Sequence, residues 1–428
     1  MYIEGDEVTR CDSQLAAGHV SYDALVLNAG LRQSLATVRS LGSRGLRVAA
    51  LETCDNAPIP AFSSRWCQHK ALCTALEGTK DYLVHLEQVL DSTGARVLIT
   101  SSDGTVALIR QHRERLERRV RVALAKEPAL SIAVNKEQTL EIARRLGLGV
   151  PRAVTVGSAS EVEAAAREIG LPAVVKPVES WVSHGQQGTR VISQLVTTLD
   201  EARREAEELM SLGGTMLFQQ FLPGRREAMS FLYASGRIHA RFAQWAKRTD
   251  PPLGGTSVLR QSIAIPEDIG KQAERLVREI ELEGYSEVEF RRDSAGKPYL
   301  MEINPRLSAS LEIAVRAGID FPYLLYQWAN GDRIDVVKSY RVGGWMRYLG
   351  GDLATMLASV RQRGRPGVTS PARAILEFCA SFFVPMRYDY LDWRDPFPAW
   401  KATLGFPRHL LRQARKGFHR KERYYENV

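Results

Sequence analysis

From residue 21 onward, short apolar runs alternate along this chain with stretches of helical period. "DALVLNAG" reads as a buried strand, followed by "LRQSLATVRSLGSRG" with Leu35, Val38 and Leu41 at helical spacing. "LRVAALE" and "ARVLITSS" are further strands, then a helix over "TVALIRQHRERLE" and the strand "RVALA". Strands alternating with helices predict a parallel, doubly wound α/β domain over 21–126, after a polar lead-in at 1–20. Only Gly30 stands at the first strand–helix turn, so the glycine fingerprint of a dinucleotide site is absent.

The texture changes at residue 127. A helix over Gln138–Leu146, a strand after Pro151 and a helix over "SEVEAAAREIG" lead to the strands "PAVVKPVES" and "TRVISQ", joined by the polar loop "SWVSHGQQG". The helix "DEARREAEELM", the strand "TMLFQQFL", strands through "AMSFLYASGRIHARFAQWAK", a helix over Lys271–Glu281 and two final strands complete the pattern. It predicts an α+β region of two lobes over 127–335, the smaller at about 150–212. Residues 336–428 form an extension with no interpretable motif.

Composition narrows this picture. At 428 residues, with 44% hydrophobic and 25% charged positions, the chain suits a folded protein of several domains. No apolar run approaches the ~20 residues of a membrane helix. The acidic start lacks a signal-peptide core, and the five cysteines form no CxxC pair, so a cytoplasmic setting is expected. The net charge of +9 is concentrated in "RQHRERLERRVR" and "RHLLRQARKGFHRKER". Base-stacking aromatics are not interleaved through these runs, Phe418 standing alone in the second, so nucleic acid is not expected, whereas the basic C-terminus is a candidate membrane-surface contact.

Candidate chemistry centres on "SEVEFRRD" and "KPYLMEIN". Strand alternation puts Met301 and Ile303 on one face, and Glu302 and Asn304 on the other. A symmetric hairpin centred between Ala295 and Gly296 makes Glu289 and Glu302 cross-strand neighbours. Two carboxylates ~5 Å apart repel unless a positive charge joins them. A Mg²⁺ ion is one solution, with Asn304 as a neutral oxygen ligand and Arg306 as a donor to phosphate or a developing oxyanion. A solvent-facing hairpin with Arg291, Arg292 and Lys297 as partners is the other. Upstream, Lys176 ends the run "PAVVK", and the loop after it offers Ser183, Gly185 and Gly188, either as a phosphate cradle or as a plain hairpin connection.

Taken in order, "VNKEQTLEIARRLGLGVP", "PAVVKPVES", the polar glycine loop, "FQQFLPGRRE", "VEF" and "MEINPR" resemble the ATP-grasp superfamily. The resemblance implies an α/β Rossmann-like pre-ATP-grasp domain, a two-lobed α+β ATP-grasp domain and a C-terminal extension. It implies ATP and Mg²⁺ or Mn²⁺, with Lys136 and Lys176 as phosphate-binding lysines and the 181–188 loop as a lid. Gln219, Gln220 and Leu222 match the adenine hinge, although that hinge commonly reads Glu-Lys. Glu227, after a one-residue insertion, resembles the ribose ligand. Glu289, Glu302 and Asn304 resemble the metal ligands, and Arg306 the arginine that stabilises charge during transfer. The implied activity is a ligase that joins small-molecule carboxylates and amines through an acyl phosphate. A bicarbonate-using enzyme or a nucleotide-binding pseudoenzyme is the alternative, and homo-oligomer formation is left open. Lys247, Arg248 and the 250–256 loop are candidate substrate contacts.

Overall fold

The computed structural model describes residues 21–53, 59–184 and 187–403. Its first unit is a five-stranded parallel sheet, in spatial order Cys67–Cys73, Val48–Thr53, Ala24–Val26, Val97–Ile99 and Arg121–Val122. Alternation decides which residues meet which helix layer. Ala24, Val26, Val48, Ala50, Val97 and Ile99 pack on one side with helix Arg32–Gly42. Leu25, Ala49, Leu51 and Leu98 pack on the other with helices Lys80–Thr93 and Asp103–Glu117. A strand buried on both faces must be apolar throughout, as "ALV" is. Side chains cap these elements: Thr79 and Ser102 accept backbone N–H bonds at their helix starts, each worth about 1 kcal/mol.

The small lobe is a four-stranded antiparallel sheet with a core of its own, ordered Gln194–Val196, Ala173–Pro177, Met216–Gln220 and Ala153–Val156. Helices Val162–Ile169 and Leu199–Ser211 cover it. Strand Met216–Gln220 carries the lobe past the expected limit near residue 212. The segment expected as a loop is a two-stranded hairpin, Trp181–His184 with Gln187–Arg190.

The large lobe is a seven-stranded sheet, ordered Pro298–Asn304, Gly284–Arg292, Arg226–Ala234, Arg237–Asp250, Thr256–Ile263, Trp345–Arg347 and Arg387–Tyr388. Its last two strands come from beyond residue 335, so the expected boundary there falls inside the lobe. Buried ion pairs fix this C-terminal segment. Asp352 accepts from Arg248 and Arg347, Asp389 from Arg260 and Arg32, and Asp395 from Arg39. The last two pairs reach helix Arg32–Gly42 of the first unit. Both apolar clusters of the first unit run on into the large lobe, through Met229, Phe231 and Val288 on one side and Leu232, Phe242 and Tyr285 on the other.

Among the described residues Cys67 and Cys73 are buried and Cys379 is exposed. No helix of the described residues is long and apolar enough to cross a membrane. Cys11, Cys54 and the basic stretch after residue 403 lie outside the described residues.

Candidate active site

A cleft between the lobes is floored by strands Gly284–Arg292 and Pro298–Asn304 and roofed by Ala173–Pro177 with Ser180, Arg190 and Val191 beside it. Val288 and Phe290 turn into the core, so Glu287 and Glu289 face the cleft. Glu289 stands opposite Glu302, and Glu287 opposite Asn304. The turn itself is not the symmetric one expected. Arg292 pairs with Pro298 and Phe290 with Leu300, a register one residue off, and a bulge at Met301 restores it before Glu302. Leu300 and Ile303 therefore enter the core, while Met301 leaves the face assigned to it and lines the cleft beside Glu302.

The positive charges that this acid pair demands are present. Arg226 grips both oxygens of Glu289, and the Asn304 amide donates to the same carboxylate at 3.2 Å. Lys136 Nζ lies 3.7 Å from Glu302 and donates to Ser180 Oγ at 2.9 Å. Arg291, Arg292 and Lys297, the partners of the solvent-facing alternative, do not pair with either acid. Burial pushes the Glu289 carboxyl up, against the pull of Arg226 and with the repulsion of Glu302 behind it. Burial acts on Glu302 in the same sense, but Lys136, Lys176 and Arg226 outweigh it and hold that carboxyl below the usual range.

Lys136 opens helix Lys136–Arg145, with Asn135 as its cap, slightly ahead of the helix expected from residue 138. Lys176 shares the cleft face of its strand with Val174, while Ala173 and Val175 pack in the small-lobe core. Its Nζ donates to the Met301 carbonyl at 3.3 Å. Burial brings its pKa down to about 8, although Glu302 draws it up; Lys136 adds to the fall.

At the inner end, the buried Gln219 amide sits 3.7 Å from Met301 Sδ, and its Oε1 has no partner among the described residues. Gln220 holds Arg152 across the sheet and, like Leu222, lines the cleft. Gly224 then lets the chain cross the large lobe, because a Cβ there would lie 2.4 Å from the Arg292 carbonyl. Glu227 is not in the cleft. It faces the opposite side of the sheet, where Arg292 holds it at 2.7 Å and Arg225 at 3.1 Å. The reason is parity: Arg226 and Ala228 share the face of Glu289, so the residue between them turns away.

The outer end draws on the first unit. Arg306 and Arg190 both grip Asp103, at the start of helix Asp103–Glu117. Burial pushes the Asp103 carboxyl up, but the two guanidiniums hold it far below the carboxylate range. Trp181 lays the hairpin on this unit: a Cβ at Gly104 would lie 2.7 Å from its ring, and one at Gly188 2.3 Å. Ser183 lies on the hairpin's first strand and Gly188 on its second, while Gly185 falls outside the described residues. Leu253 to Ser257 line the cleft, but Arg248 is spent on Asp352 and Lys247 lies over Trp345, so neither is a substrate contact here. Ser308 and Ser310 do not cap the helix after them; both donate to Glu287. Sequence reasoning missed Asp103, Arg190, Arg226 and Glu287. Only the last two had a signal, their shared parity with Glu289.

Among the described residues no three His, Cys, Asp or Glu side chains converge as a metal site. The donor set is two acids and the Asn304 amide, which suits a cation that keeps phosphate and water in its shell. Two lobes, paired lysines and acids on adjacent strands match what the resemblance to the ATP-grasp superfamily implies, and the chain has the ATP-grasp fold. Residues 214–344 match the family described as ATP-grasp in the biosynthetic pathway with Ter operon. The carbamoyl phosphate synthase large chain of Thermus thermophilus is 30% identical over 277 residues, 59% of this chain and 26% of that protein. The D-alanine–D-alanine ligase of Ectopseudomonas mendocina is 23% identical over 209 residues, 46% of this chain and 64% of that protein. The chain thus spans between about a quarter and just under two thirds of these relatives. Biotin carboxylase from Campylobacter jejuni shares the fold, with a TM-score of 0.60 at 14% identity over 76% of this chain and 74% of that one.

Proposed function

We propose that the protein is an ATP-dependent ligase that activates a substrate carboxylate as an acyl phosphate and passes the acyl group to an amine. The observation that supports this most is the pairing of Glu289 with Glu302 beneath two buried lysines, Lys136 and Lys176. Clustered buried charge of both signs is costly unless a ligand shares it.

In this reading the adenine lies between Met301, Leu222 and the unpaired Gln219 amide oxygen, which accepts from its amino group. Lys136 and Lys176 hold the phosphates. Glu302, Asn304 and Glu289 would hold Mg²⁺, with Glu289 shared with Arg226; the ion supplies charge neutralisation on the phosphates. A carboxylate oxygen of the substrate attacks the γ-phosphorus, the bond to the β-phosphate oxygen breaks, and ADP leaves. The amine nitrogen then attacks the acyl carbon, losing a proton, and inorganic phosphate departs. Such transfer needs positioning and charge stabilisation rather than a side-chain nucleophile. The 181–190 hairpin keeps water from the acyl phosphate.

The test is to supply ATP, Mg²⁺ and pools of carboxylates and amines. ADP and phosphate should appear in equal amounts, and only with the carboxylate present. Release of AMP, or tight ATP binding without turnover in every pool, would overturn the reading.

A further inference from the structure

Each carboxylate of the cleft has a cation of its own except one. Glu302 has Lys136, Glu289 has Arg226, and Asp103 has Arg190 and Arg306. Glu287 is 4% exposed and forms no ion pair among the described residues. Its partners are neutral, and all of them donate to one oxygen: Gln244 Nε2 at 3.0 Å, Ser308 Oγ at 2.9 Å and Ser310 Oγ at 2.8 Å from Oε2. Among the described residues nothing donates to Oε1, yet the residue lines the cleft. A carboxylate held this way is oriented but not neutralised.

Its place along the floor shows what it awaits. Glu287 stands two residues beyond Glu289, about 7 Å along the strand, away from the hinge and toward Ser308 and Ser310. That is past the acid pair, where the acceptor of a phosphoryl group would lie. Gln33 and Ser101 of the first unit line the same cleft. Ser101 is 1% exposed, and its hydroxyl has no partner among the described residues. An open carboxylate oxygen at the acceptor end, in a cleft that also holds an idle hydroxyl, suits a small, polar, positively charged group.

We propose that the substrate whose carboxylate is activated carries an ammonium group, and that Glu287 anchors it. The substrate class is then amino acids or similar amine-bearing acids. This rests on the ligase reading above. Gln244, Ser308 and Ser310 are positioning residues that fix the Glu287 carboxylate, leaving Oε1 for the ammonium.

The experiment uses hydroxylamine, whose nitrogen attacks an acyl phosphate to give a hydroxamate and inorganic phosphate. The full chain, with ATP and Mg²⁺, is given three pools: the twenty common L-amino acids, the matching 2-hydroxy acids, and simple acids such as acetate, succinate and benzoate. Hydroxamate from the first pool, with the second at a tenth of its rate or less, is the expected result. Equal rates from the first two pools overturn the ammonium anchor. So does hydroxamate from the simple acids alone, which leaves the ligase reading standing. No hydroxamate from any pool removes the ligase reading, and the anchor with it. For the responding amino acid, Glu287→Gln should raise KM about 30-fold while kcat changes about threefold or less, and Glu287→Asp should recover part of that loss. An unchanged KM in Glu287→Gln, or a fall in kcat alone, would sink the assignment. The comparison of pools needs no variant, so it stands even if Glu287→Gln fails to fold.

Discussion

Two groups of buried charge in this molecule look alike in sequence and differ in completeness. In the C-terminal segment Asp352, Asp389 and Asp395 are almost fully buried, and each meets one or two arginines. Asp395 also accepts from Ser64 Oγ and the Arg65 backbone N–H, so both of its oxygens are occupied. The cleft group has six cations, Lys136, Lys176, Arg190, Arg226, Arg291 and Arg306, around four acids. Among the described residues there, Lys176 donates only to a carbonyl, the Gln219 oxygen accepts from nothing, and Glu287 has neutral partners alone. The C-terminal acids are saturated at both oxygens, although Arg260 Nε and Arg347 Nη1 have no partner among the described residues, and they hold parts of the chain together. Unsaturated ones keep a place for something else.

That contrast can be broken from either side. The largest effect is expected from Glu302→Gln: ADP release should fall at least about 10³-fold, roughly 4 kcal/mol of barrier, with little change in the thermal midpoint. Retained turnover would remove Glu302 from the site. Asp389→Ala should do the reverse. It strands Arg260, fully buried, and should cost about 3–5 kcal/mol of stability in urea unfolding; a cost below 1 kcal/mol would mean that the pair is not a structural anchor.

A smaller effect concerns Lys176, whose pKa is brought down to about 8. A lysine loses its charge as pH rises through its pKa, so its attraction for phosphate fades above that point. ADP affinity measured without metal should therefore fall between pH 7 and 9.5, by up to about tenfold per unit above 8. Lys176→Arg should flatten the profile, and an equally steep profile in that variant would point to another group. The smallest effect on binding is expected from Glu227→Gln. It should cost about 1–3 kcal/mol of stability through its arginines and leave ATP affinity within about twofold. A large loss of ATP affinity would return Glu227 to the ribose.

Much of the floor was legible because strand parity is local. Glu289 opposite Glu302 follows from alternation and turn position, yet the turn was placed one residue off and the Met301 bulge repaired the register. A bulge leaves no mark in composition, so its compensation could not be foreseen. The same parity, applied to Arg226 and Glu227, turns Glu227 away from the floor, against the role that the family resemblance implies for it. Asp103 was out of reach, since it lies 203 positions from Arg306 and only the packing of two units joins them. Strands Trp345–Arg347 and Arg387–Tyr388 have three and two residues, too few for a period to show.

The reach of Asp389 and Asp395 back to Arg32 and Arg39 bears on inheritance. The two ends of the chain share one electrostatic account, so neither can drift or be exchanged alone. A graft carrying only the matched residues 214–344 would leave Arg260 interred without its aspartate. Recombination that respects this protein must therefore move the first unit, both lobes and the tail as a single heritable block.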